Sequence, residues 1–113
     1  ANRGQFLKHL IAAFSHSEIY SFEPNLECFK ILKNSVRNIP NVKCLNFGLG
    51  NISGEFPIYL PKKDLLSERA TLLPNAINFL KANEQVLTQS IQVKTLDIFC
   101  EENNIQFIDF LKI

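Results

Sequence analysis

Few side chains in this 113-residue sequence combine chemical capability with a position that a ligand could reach, and Glu23 leads them. It follows Glu18-Ile19-Tyr20-Ser21-Phe22, a short β-prone run, and precedes Pro24, which opens a long helical pattern. A carboxylate at the carboxyl end of a strand, just ahead of a helix, borders the crevice where open α/β sheets bind ligands, and it can accept ribose hydroxyls there. An acidic residue near a helix N-terminus also gains about 0.3–1 kcal/mol from the helix dipole with no ligand involved. Cys28, Cys44 and Cys100 are odd in number, far apart and without a C-x-x-C pair. They read as free thiols of a reducing cytosol, with no disulfide framework and no metal site. His9 and His16 have no carboxylate or cysteine at ligand spacing and read as solvated helix positions. Asp109 reads as a hydrogen-bonded strand residue, and Lys112 sits at a strand end where it could line a site. There is no Ser/His/Asp set, catalytic carboxylate pair or P-loop, so no catalytic residue is assigned.

The composition fixes the class of molecule that must position Glu23. Hydrophobic residues make up 46% and charged residues 20%, which excludes a disordered chain and permits one buried core. The formal net charge is +1 with no basic stripe, so nucleic acid is a poor partner. No apolar run approaches the roughly 20 residues that span a bilayer. The sequence contains no methionine, opens as if within a loop and stops inside an apolar run, so it reads as a single domain's segment from a longer protein.

The elements follow from periodicity. Phe6, Leu7, Leu10, Ile11 and Phe14 form one apolar stripe, predicting a helix from Gly4 to about Ser15 with Asn2 as its N-cap type. Its start offers N–H groups to an anionic ligand, and Gly4 allows close backbone approach. A strand over 19–22 comes next. A second helix from Asn25 to Asn38 buries Leu26, Phe29, Leu32, Val36 and Ile39, with Cys28 and Ile31 beside them, and ends before Pro40. Residues 41–47 alternate as a strand, and Gly48-Leu49-Gly50-Asn51 reads as a tight turn. The order helix, strand, helix, strand implies parallel strands and a doubly wound α/β sheet. Residues 55–60 form an edge strand carrying Pro57, paired antiparallel with 86–94. The intervening 61–83 reads as an irregular insertion with a short helix at 75–81. Thr95 caps a helix from Leu96 to about Asn103, with Glu101 and Glu102 solvated. Phe107 to Ile113 is nearly continuously apolar, as in a strand buried on both faces.

Taken together these pieces resemble the FkbM-type methyltransferase family. Its pattern runs Asp-x-Gly-Ala-Asn-x-Gly, Phe-Glu-Pro, an Ala-Leu-Gly-like turn, Thr-Leu-Asp, then a strand leading to Lys-Ile-Asp-x-Glu-Gly. Here stand Ala1-Asn2-Arg3-Gly4, Phe22-Glu23-Pro24, Gly48-Leu49-Gly50, Thr95-Leu96-Asp97 and Leu111-Lys112-Ile113. Gly4 and Glu23 lie 19 positions apart, close to the roughly 20 between a glycine loop and a ribose-binding acid. The resemblance implies a Rossmann-like class I methyltransferase fold, incomplete here because its first and C-terminal strands are absent, with an antiparallel edge insertion. It implies S-adenosyl-L-methionine as cofactor. Ala1, Asn2 and Gly4 would lie against the methionine moiety, Glu23 would hold the ribose hydroxyls between Phe22 and Pro24, and the turn with Gly48 and Leu49 would lie near the adenine. The implied acceptor is a small molecule or glycan hydroxyl. The family's Asp-x-Glu-Gly is not in the sequence, so the segment by itself is expected not to transfer methyl groups. Two rival readings remain, a dinucleotide-binding oxidoreductase fragment and a non-catalytic α/β interaction module.

Overall fold

The computed structural model of the chain describes residues 1–62, 65–66 and 86–112. Eight elements follow one another: α1 (Leu7–Ala13), β1 (Ile19–Phe22), α2 (Leu26–Ser35), β2 (Val42–Leu45), β3 (Gly48–Leu49), β4 (Gly54–Pro61), β5 (Val86–Lys94) and α3 (Leu96–Glu102). The fold is mixed α/β. Its strands form two small sheets, β1-β2 and β3-β5-β4, where the sequence predicts one continuous doubly wound sheet. The chain passes from the first sheet to the second over Asn46 and Phe47, where the backbone bends.

β1 and β2 pair in parallel, Ile19 opposite Val42 and Phe22 opposite Leu45, with α2 as the crossover. The apolar stripe of α1 meets α2 and this sheet: Leu7, Leu32, Val36 and Val42 are buried together, flanked by Ile11, Ile19, Ile39 and Cys44. Burying each such side chain is worth about 1.5–3 kcal/mol against leaving it exposed. Burial also pushes the Cys44 thiol above its ordinary pKa. The inward face of α2 runs through Asn25, Cys28, Leu32 and Val36, while Leu26 and Ile31 lie exposed. The wider predicted apolar face is therefore too generous by those two residues. Both helices are shorter than predicted. α1 begins at Leu7 because residues 1–6 are turns, and α2 ends at Ser35, after which Val36 to Ile39 wind off through turn hydrogen bonds ahead of Pro40.

The predicted antiparallel pair is present, from Gly54 opposite Val93 to Pro61 opposite Val86. Ile58, Leu60, Ile91 and Val93 make its own small core. Pro57 lies on β4, which pairs only with β5 among the described residues, as a residue without an N–H requires. α3 starts where predicted, with Thr95 Oγ1 accepting from the Ile98 N–H at 3.2 Å. Its Phe99 is buried and packs edge-on against Tyr20 and Phe22 of β1, with Phe47 beside it. This aromatic group links the two sheets.

The last prediction fails. Residues 107–112 form no strand, and Phe107 is 84% exposed. Apolarity cannot by itself make a strand; a neighbouring backbone must complete the ladder, and no described strand lies beside this run. Asp109 is consequently exposed instead of bonded within a sheet. Phe110 rests on Phe14 with ring centroids 5.8 Å apart, and the Lys112 ammonium lies 5.1 Å from the centre of the Phe6 ring. The helix predicted at 75–81 and most of the insertion around it fall outside the described residues.

Candidate cofactor site at Glu23

β1 ends at Phe22, but its ladder continues one rung, from the Glu23 N–H to the Leu45 carbonyl at 2.9 Å. Pro24 then restricts the backbone and has no N–H, and Asn25 caps α2, its Oδ1 accepting from Glu27 and Cys28. Glu23 is therefore fixed between a paired strand and a capped helix. It is 6% exposed. A buried carboxylate is costly unless hydrogen-bonded, and here backbone nitrogens supply the bonds. Oε1 accepts from the Asn25 N–H at 2.9 Å. Oε2 accepts from the Asn2 N–H and from the Ala1 ammonium, with which it forms an ion pair at 3.1 Å. The Ala1 nitrogen also donates to the Phe22 carbonyl at 2.8 Å. An ionised carboxylate offers about four acceptor positions. Three are filled by these donors, leaving one on Oε1 among the described residues.

The glycine-bearing loop is built around that carboxylate. Asn2 adopts φ 50°, and Gly4 adopts φ 87°, a conformation that favours glycine. A Cβ on Gly4 would also stand 2.8 Å from Leu32 Cδ1, so the close approach that Gly4 permits is to α2. Asn2 is not the N-cap of α1; its Oδ1 accepts from the Arg3 N–H and from Gln5 Nε2. The Gly4 N–H donates to the Ala1 carbonyl. Of the N–H groups at this start, those of Asn2, Arg3 and Gly4 are thus used within the loop and on Glu23.

Gly48 and Leu49 form β3, in parallel with Val93 and Lys94, where a tight turn was predicted. The Gly50 N–H extends that pairing to the Lys94 carbonyl at 3.0 Å. The sequence places glycine here for proximity instead: a Cβ on Gly50 would lie 2.8 Å from Val93 Cγ1. Gly48 packs near Pro24, and Asn46 Nδ2 donates to the carbonyls of Glu23 and Pro24 at 2.9 and 3.2 Å. β3 therefore starts beside the Phe-Glu-Pro corner, with Leu49 exposed. Ala1, Asn2 and Glu23 meet directly, Gly4 supports the loop from behind, and Gly48 borders the corner through Pro24.

Three contributors were not singled out from the sequence. Asn25 and Asn46 are amide side chains that tie the corner together, and an N-cap type directly after Pro24 was the readable sign of the first. The third is the backbone at Leu65 and Leu66, whose carbonyls accept from Asn25 Nδ2 at 2.6 Å and Asn2 Nδ2 at 3.4 Å. Pairing across such a sequence distance leaves no local pattern.

The sequence matches the family model of the methyltransferase FkbM domain over residues 1–113. The chain belongs to the FkbM methyltransferase family. No curated protein and no solved structure matches it. Methyltransferases of this kind generally use S-adenosylmethionine, and in this FkbM-family chain the corner at Glu23 fits part of that group. No helix among the described residues is long and apolar enough to cross a membrane, and no cluster of metal-ligating side chains occurs among them.

Proposed function

We propose that the chain is the cofactor-binding part of an S-adenosylmethionine-dependent methyltransferase that methylates a hydroxyl oxygen on a sugar or natural-product acceptor. The observation that carries this reading is the buried Glu23 carboxylate, held in place by two main-chain N–H groups and the Ala1 ammonium and left with one acceptor position among the described residues. S-adenosylmethionine would supply a sulfonium methyl group whose carbon an acceptor oxygen attacks in line as the bond to the departing thioether sulfur breaks, so the protein's work is to position the two and exclude water. Glu23 takes a ribose hydroxyl on Oε1. Because its geometry is fixed before the ligand arrives, little ordering is required on binding. Residues 1–4, fastened to the same carboxylate, set the backbone that lies against the methionine end. Exposed Leu49 and the Gly48 backbone offer an apolar edge for the adenine. The acceptor's general base is assigned to no residue of this chain.

Thermal shift of the full-length protein with S-adenosylmethionine, S-adenosylhomocysteine and NAD tests the reading. At a ligand concentration of 100 times Kd a ligand specific to the folded state stabilises by about 2.7 kcal/mol. The first two should raise the midpoint and NAD should not. A shift with NAD alone points to a dinucleotide-dependent oxidoreductase, and a shift with none to an interaction module.

A further inference from the structure

Asn2 and Asn25 do two things at once. Each gives its backbone N–H to the Glu23 carboxylate, one to each oxygen. Each also gives its side-chain amide to the backbone of a segment some forty or more positions away: Asn25 Nδ2 to the Leu65 carbonyl at 2.6 Å, and Asn2 Nδ2 to the Leu66 carbonyl at 3.4 Å. Asn25 is 3% exposed, so its amide is committed to this contact. Asn2 Nδ2 also lies 3.6 Å from Cys28 Sγ, inside the first turn of α2. Consecutive carbonyls of one strap are thus held by the two residues that also hold the candidate ribose acceptor.

We infer that Asn25 and Asn2 are positioning residues that fasten Leu65-Leu66 to the Glu23 corner and so set how fast a nucleoside cofactor leaves it. The inference rests on the cofactor reading of Glu23. Side-chain bonds to backbone carbonyls suit this role. They hold the strap whatever its side chains are, and they break without exposing a charge. A ligand on Oε1 shares its acceptor with the Asn25 N–H, so whatever shifts Asn25 moves both the ligand and the strap.

Asn25→Ser separates the strap from the helix cap. Serine is a good N-cap, but its hydroxyl is shorter than the amide and does not span to Leu65. Asn25→Ala removes both functions. In the full-length protein, Asn25→Ser should speed S-adenosylhomocysteine dissociation, followed by stopped flow, about fivefold, the scale of one neutral hydrogen bond. Its melting midpoint without ligand should fall less than that of Asn25→Ala, which also loses the helix cap. Chymotrypsin cleavage after Leu65 or Leu66 should rise in Asn25→Ser and in Asn2→Gly, a substitution that suits the positive φ of Asn2. Unchanged cleavage in both variants overturns the strap. Faster cleavage with unchanged dissociation overturns its control of the ligand. If the parent protein binds neither S-adenosylmethionine nor S-adenosylhomocysteine, the cofactor reading fails, and with it this control, while the cleavage result still decides the fastening itself.

Discussion

The two ends of β1 each carry a glutamate, and their surroundings are opposite. Glu18, just before the strand, is exposed and meets only side chains: Lys43 Nζ at 2.6 Å and the Tyr20 hydroxyl at 2.9 Å, both on Oε1. Glu23, just after the strand, is buried, and its carboxylate meets two main-chain N–H groups and the Ala1 ammonium but no side chain. Flexible side chains in water gain little by pairing, because holding them costs entropy and solvent screens them. Backbone donors belong to elements already fixed by the fold, so the carboxylate they hold is ordered in advance. The comparison separates a surface ion-pair cluster from a buried corner that joins loop, strand and helix.

Glu23→Ala should break the corner most severely. It leaves the Asn2 and Asn25 N–H groups without their acceptor in a buried setting, at a cost of about 3 kcal/mol in denaturant unfolding. In the full-length protein it should also weaken S-adenosylmethionine binding about ten- to a hundredfold. Asn46→Ala sharpens the comparison at intermediate size. It removes the amide on the Glu23 and Pro24 carbonyls but leaves the carboxylate's donors in place, and should cost about 1 kcal/mol by the same measurement. The smallest effect belongs to Glu18. Its hydrogen bonds from Lys43 and then Tyr20 hold its pKa below the ordinary value of a glutamate. A depressed folded pKa gives a contribution that is present above the unfolded value and is lost as pH falls through the folded one. Lys43 is shifted upward by the same Glu18 bond, so its share is lost only as pH rises past 10.5. Lys43→Met should raise the Glu18 titration midpoint, read from its carboxyl carbon by NMR, and lower stability at neutral pH only slightly, because both groups are exposed.

The contrast also marks what the sequence discloses. Local signals read well. The strand at 19–22, the Thr95 cap, the pairing of 86–94 with the Pro57 strand and the position of Glu23 all depend on neighbours within a few residues or on simple alternation. Gly4 was read as special, and it is, yet its positive φ and the closeness of Leu32 serve packing of the loop on α2. The misses come from long-range terms. Gly48-Leu49 carries turn residues but becomes a strand because β5 offers an edge. Residues 107–112 carry strand residues but stay irregular because no described strand stands beside them. The donors on the Glu23 carboxylate and the strap at Leu65-Leu66 depend on backbone groups, which carry no sequence identity at all.

If Glu23 accepts a ribose hydroxyl, deoxyribose analogues of S-adenosylhomocysteine reveal it without altering the protein. Calorimetry on the full-length protein with the 2′-deoxy and 3′-deoxy forms should show one of them binding about ten- to a hundredfold more weakly than the parent ligand, the scale of one hydrogen bond to a charged group. The other should lose less, because Oε1 has one position to give. Equal affinity for the parent ligand and both analogues would contradict the account.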